Sequence, residues 1–141
     1  MARIDFLQKK IDRYLQKEQL LKNDEYLRLE KPFLKKARKN FTVANLMFKI
    51  SEQDEFKKAL ALSQNFETYE WVTVVSYYSM YISALAALAK LGFKSKSHAA
   101  TIMVLEHYYV HQQRNLEAKH IQQLTKAYPL SEDLINKLIQ T

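Results

Sequence analysis

A chain of 141 residues with one glycine, two prolines and no cysteine is long enough for one hydrophobic core and poor in the residues that build hairpins and tight turns, which favours an all-α fold. The missing cysteines exclude disulfides, thiol catalysis and cysteine-bound zinc, and fit a reducing compartment. Lys and Arg outnumber Asp and Glu by 22 to 15, a formal charge of +7; such a surface attracts polyanions, nucleic acid above all, although a soluble protein can be basic without one.

The first ten residues, MARIDFLQKK, contain no apolar signal-peptide core, so a cytoplasmic protein is expected. Ile4, Leu7, Ile11, Tyr14/Leu15 and Leu21 recur at helical spacing and predict an amphipathic helix over 2–22. Pro32 suits the first turn of a second helix, predicted from about Lys31 to Ile50. Its stripe is Leu34, Ala37, Phe41, Ala44 and Phe48, and Lys31, Lys35, Lys36, Arg38 and Lys39 crowd its start. That cluster reads either as a solvated basic face or as a track for a phosphate backbone. A short helix over 54–63 follows, and Thr68 is a candidate cap for the next one.

From Trp71 to Ala89 there are 19 residues without a charge, long enough to span a bilayer. Tyr77, Tyr78, Tyr81 and the serines among them argue instead for a helix buried in a soluble core, with no membrane role. Gly92 is the only glycine and sits where a helix C′ residue belongs, with Phe93 as its hydrophobic clamp. Ser95 or Ser97 can cap a further helix running to about His111, with His98, Thr101/Ile102, Leu105 and Tyr108/Tyr109 inward. A polar stretch leads to a short helix carrying Ile121 and Leu124, which Pro129 is expected to stop. Ser131 would then cap a last helix, whose apolar stripe runs unfinished to Thr141 and predicts more chain beyond it.

Two segments resemble a known family. LKKARKNFTVANLMFKIS (34–51) is similar to the opening helix of HEPN-type domains, and SYYSMYISALAALAKLGFKSKSHAATI (76–102) is similar to their signature. In the second segment the likeness is carried by Tyr77, Tyr78, Met80, Tyr81, Leu91, Gly92, Lys94 and His98. The resemblance covers about residues 31–140 and leaves 1–30 as an N-terminal helical extension of a HEPN-like domain at 31–141. It implies an antiparallel, up-and-down helical bundle, no cofactor, and pairing with a nucleotidyltransferase-type protein in a two-component, toxin–antitoxin type system. It further implies that some members are dimeric, metal-independent ribonucleases acting through Arg-x(4–6)-His.

Arg114 and His120 fit that spacing; in such chemistry the histidine would move a proton at the ribose 2′-OH or leaving oxygen, and the arginine would stabilise the phosphorane charge. A non-catalytic interaction module of the same fold is the alternative. The turn holding Lys94, Lys96, Ser97 and His98, together with Lys35, Lys36, Arg38 and Lys39, supplies the candidate phosphate or RNA contacts. His107 and His111 are four apart, but no third ligand accompanies them beyond Glu106, which lies on a neighbouring face, so no metal is expected.

Overall fold

The uncharged run from Trp71 to Ala89 lies within one helix, α4 (Tyr69–Lys90), around which the other elements are laid. The structure is a computed structural model describing residues 2–140, and the side chains of 2–138. α4 buries Val74, Tyr77, Ile82, Ala84, Ala86, Leu88 and Ala89. Among the described residues it is also the one helix long and apolar enough to cross a membrane by length and composition. Its N-terminal half is more open than a wholly buried helix would be: Trp71 and Met80 are each nearly half exposed.

α2 (Glu30–Glu52) runs antiparallel to α4 and packs chiefly on it. Small residues let the two backbones approach. Ala37 and Ala44 are buried at the seam, where the Ser79 hydroxyl donates to the Ala37 carbonyl at 2.9 Å. At the other end Ser51 meets Thr68, whose hydroxyl is thereby turned away from capping α4. The short α3 (Asp54–Ala59) links the pair; it ends there because Ala61 takes a left-handed conformation, φ 57°.

The N-terminal segment departs from a single helix over 2–22. α1 (Ala2–Gln16) stops early, Glu18 adopts φ 58°, and Leu20–Lys22 form a strand, β1. β1 pairs antiparallel with β2 (Phe93–Ser95), in register Leu20↔Ser95, Leu21↔Lys94 and Lys22↔Phe93. The reason lies in packing. Leaving the helix puts Leu20, with no exposed surface, into the core beside Phe93 and Leu88. Burying one such side chain is worth about 2 kcal/mol, more than the left-handed residue costs. Ile11 and Leu20 thus share the core of the later helices, and Leu7 is buried as well. Gly92 takes φ +83° and ends α4, its N–H bonded to the Ala89 carbonyl and its own carbonyl to the Asn23 N–H, both at 2.9 Å.

After the turn, Ser97 caps α5 (His98–Val104) by accepting the Ala100 N–H at 3.0 Å. The helix then widens into a π segment, Leu105–Gln112. The last element corrects the expected break. Pro129 lies inside one continuous helix, α6 (Ala118–Gln140), which tolerates the missing N–H because α6 is anchored on both sides of it. Ile121 and Leu124 are buried before the proline and Ser131 after it. Ser131 therefore caps nothing; its hydroxyl is buried inside the helix without a hydrogen-bond partner among the described residues. The architecture is all-α, apart from the three-residue strand pair.

Candidate functional site

Three adjoining clefts merge into one groove over the exposed face of α4. Lys31, Leu34, Lys35 and Arg38 line the first, of about 470 Å³. Leu34 and Arg38 continue into a second of equal size, with Phe41, Thr42, Ser79 and Ser83. Ser79 and Ser83 continue into a third, of about 410 Å³, closed by Leu116, His120, Ile121 and Leu124 from the start of α6. α2 lines the first two clefts, α4 contributes Ser79 and Ser83 to the second and third, and α6 lines the third.

Groove residues belong to two regularly spaced rows that run on past its lining. On α2 the row Leu34, Arg38, Phe41, Asn45, Phe48 alternates steps of four and three, and on α4 so does Thr73, Ser76, Met80, Ser83, Ala87. That seven-residue repeat is the one with which a further helix interdigitates. Phe41 is 59% exposed and Phe48 46%, so two of the five residues of the predicted core stripe of α2 face outward instead. Only Ala37 and Ala44 of that stripe are sealed against α4.

The basic cluster splits. Lys35 and Arg38 belong to the groove wall, whereas Lys36 and Lys39 project elsewhere on the exposed surface of α2. None of Lys31, Lys35, Lys36, Arg38 and Lys39 forms an ion pair among the described residues. Arg114 stands in the loop before α6 with φ 54° and is exposed. His120, in the first turn of α6, lines the far end of the groove and accepts the Glu117 N–H at Nδ1, 3.3 Å. No hydrogen bond joins Arg114 to His120 among the described residues, and the adjacent carboxylate of Glu117 pairs with Lys119 at 3.3 Å.

The turn after Gly92 is consumed by the fold to a degree its sequence conceals. The Ser97 hydroxyl is taken by the Ala100 N–H, and the Ser95 hydroxyl is bonded to the Ser97 carbonyl and the Thr101 hydroxyl. His98 stacks between Tyr128 at 4.2 Å and Tyr81 at 5.5 Å between ring centroids. Its Nδ1 meets the Tyr77 hydroxyl at 3.2 Å, while Nε2 is buried without a partner among the described residues. Burial lowers the His98 pKa and raises that of Tyr77. Only Lys94 and Lys96 of this turn present exposed side chains, with the Lys94 ammonium 5.8 Å from the Tyr26 ring centroid.

The π segment forms pairs that α-helical spacing does not suggest. Residues five apart become neighbours: His111 Nε2 lies 3.0 Å from a Glu106 carboxylate oxygen, and the Gln112 amide lies 3.1 Å from His107 Nε2. His107 and His111 are therefore engaged separately, His107 almost fully buried with Nδ1 unpartnered among the described residues. Arg3 clasps Glu106 with Nε and an Nη, at 2.7 and 2.8 Å. The guanidinium, then His111, holds the Glu106 carboxyl below its usual range despite partial burial. Neither Arg3 nor Glu106 stands out in the sequence, since a Glu and a His five apart lie on different faces of an α-helix.

Comparison with family models, with curated proteins and with solved structures returns no match.

Proposed function

We propose that this chain is a HEPN-like helical component of a two-component, toxin–antitoxin type system, working through a nucleotidyltransferase-type protein partner that seats on the α2–α4 face. RNA is the polyanion its basic surface attracts. One observation carries the partner reading above the others: the groove in which two exposed rows with heptad spacing lie beside unpaired Lys31, Lys35 and Arg38. A face on which exposed Phe41, Phe48 and Met80 lie near basic side chains marks an interaction site. The likeness of residues 76–102 to the HEPN signature supplies the kind of partner.

Co-expression of the full-length chain with the product of its neighbouring gene tests this. A nucleotidyltransferase-type neighbour should co-elute, and Ser83→Trp, which fills the groove floor at an exposed position, should lower the yield of complex about tenfold. A gene with no such neighbour would end the partner assignment; a complex indifferent to Ser83→Trp would move it off this face. Ribonuclease activity is the second reading, favoured by His120 opening onto the groove. It requires RNA cleavage lost in both Arg114→Ala and His120→Ala; cleavage that persists in either would exclude that pair.

A further inference from the structure

Apart from the groove, meeting it only at Ile121, a second cleft of about 520 Å³ opens between α1, the π segment and α6. Its size is that of a small-molecule site. Ile102, Met103 and Ile121 give it an apolar floor, and Arg3, His111 and Lys126 reach it from three separate elements. We propose that this cleft binds a phosphate monoester, held by Arg3, His111 and Lys126, with Glu106 orienting the first two.

The hydrogen-bond inventory fits that ligand. Glu106 occupies Nε and one Nη group of Arg3, leaving the other Nη free to donate. It engages His111 through Nε2 alone, leaving Nδ1. Lys126 is exposed and has no ion pair among the described residues. Arg3 and Glu106 cancel in charge, so Lys126 remains as the unneutralised cation to face a phosphate, with the free Arg3 Nη group and the His111 ring beside it on the lining. The apolar floor suits the sugar or ring that carries the phosphate.

A purely structural clip would look different. Fastening α1 to the bundle requires only Arg3 and Glu106. It requires neither a histidine on the same carboxylate nor an unpaired lysine on the opposite wall. The π register that sets Glu106 beside His111 is an uncommon backbone arrangement, found often at functional sites. Here it brings an acid and an imidazole together at the mouth of the cavity.

The phosphate could belong to a small metabolite or to the end of an RNA chain, and two ligands separate these. Ribose 5-phosphate and a short 5′-phosphorylated RNA, the latter beside the same RNA with a 5′-hydroxyl, are titrated into the full chain while the backbone amide resonances of Met103, Glu106 and Gln122 on the cleft lining are followed. Saturable shifts with ribose 5-phosphate are expected, weakened about tenfold each by Lys126→Met and His111→Gln, the loss of one charge-assisted contact. The glutamine amide can still donate to Glu106, so an unchanged melting temperature in His111→Gln separates lost binding from a lost clip. If RNA ends are the ligand, the 5′-phosphate should improve RNA binding and the same two variants should erase that advantage. Shifts reproduced by sodium chloride at equal ionic strength, binding indifferent to both variants, or no shift with either ligand would overturn the site. None of these results bears on co-elution with a protein partner, so the two proposals fail separately.

Discussion

At the scale of single residues, His98 and His107 set how stability should follow pH. Burial holds both imidazoles below their ordinary value of 6.5. A base lowered in this way takes its proton more readily in the unfolded chain. Its contribution is complete above 6.5 and drains away as pH falls through that value. Urea midpoints should therefore decline from about pH 8 to about pH 5. His98→Phe, which keeps a ring between Tyr81 and Tyr128, should flatten the slope; an unchanged slope would place the pH dependence elsewhere. Glu106, held low by Arg3, adds a loss only at more acidic pH. Gly92 poses a question of backbone strain. A Cβ there would meet its nearest atom, the Asn23 carbonyl oxygen, at 3.5 Å, an ordinary contact. Gly92→Ala should then cost only the left-handed conformation, about 1–2 kcal/mol by chemical denaturation; a much larger loss would reveal a clash.

At the scale of elements, the legible features were those a local rule governs. Gly92 as the end of α4, Ser97 as the cap of α5, Pro32 in the first turn of α2 and the inward Ile121 and Leu124 all follow from residues within one turn of each other. What the sequence concealed depends on distant partners. Leu20–Lys22 form a strand only because Phe93–Ser95 offer an edge, and the π segment exists where Arg3 and Gln112 find partners on it. Pro129 does not end α6 as the local rule predicts, because packing on both sides outweighs one lost hydrogen bond. In α6, Pro129 leaves the Thr125 carbonyl without its helical donor, while the Thr125 hydroxyl bonds back to Ile121 at 2.8 Å. Pro129→Ala should restore the donor and stabilise the protein by about 1–2 kcal/mol, after the entropy released to the unfolded chain. A drop in stability instead would mean that the stack of Tyr128 on His98 depends on the local geometry the proline imposes.

For the whole molecule, the first 22 residues are the sharpest test of organisation. Leu7, Ile11 and Leu20 have at most 1% exposed surface, and β1 hydrogen-bonds to the strand that follows the central helix. Deleting residues 1–22 should uncover Leu88, Phe93 and Val104 and abolish the cooperative thermal transition seen by circular dichroism. A sharp transition in the truncated chain would make the segment an appendage. Charge is likewise a property of the whole. With a net +7, single-stranded RNA binding should weaken steeply with salt. Reversing Lys31, Lys35 and Arg38 to Glu should reduce the log–log salt slope by about 2, if each contacts a phosphate. An unchanged slope would free the groove rim for protein alone.

The pairing of β1 with β2 also dictates an order of events. Leu20 leaves the ribosome more than seventy residues before its partner Ser95, so α1 cannot be sealed while α2 and α4 are being made. The antiparallel α2–α4 pair, closed by a short connection, is free to collapse first, because nearby contacts form before distant ones. The amino terminus, first to be synthesised, is then among the last segments buried. During that interval Leu7, Ile11 and Leu20 are open to chaperones and proteases.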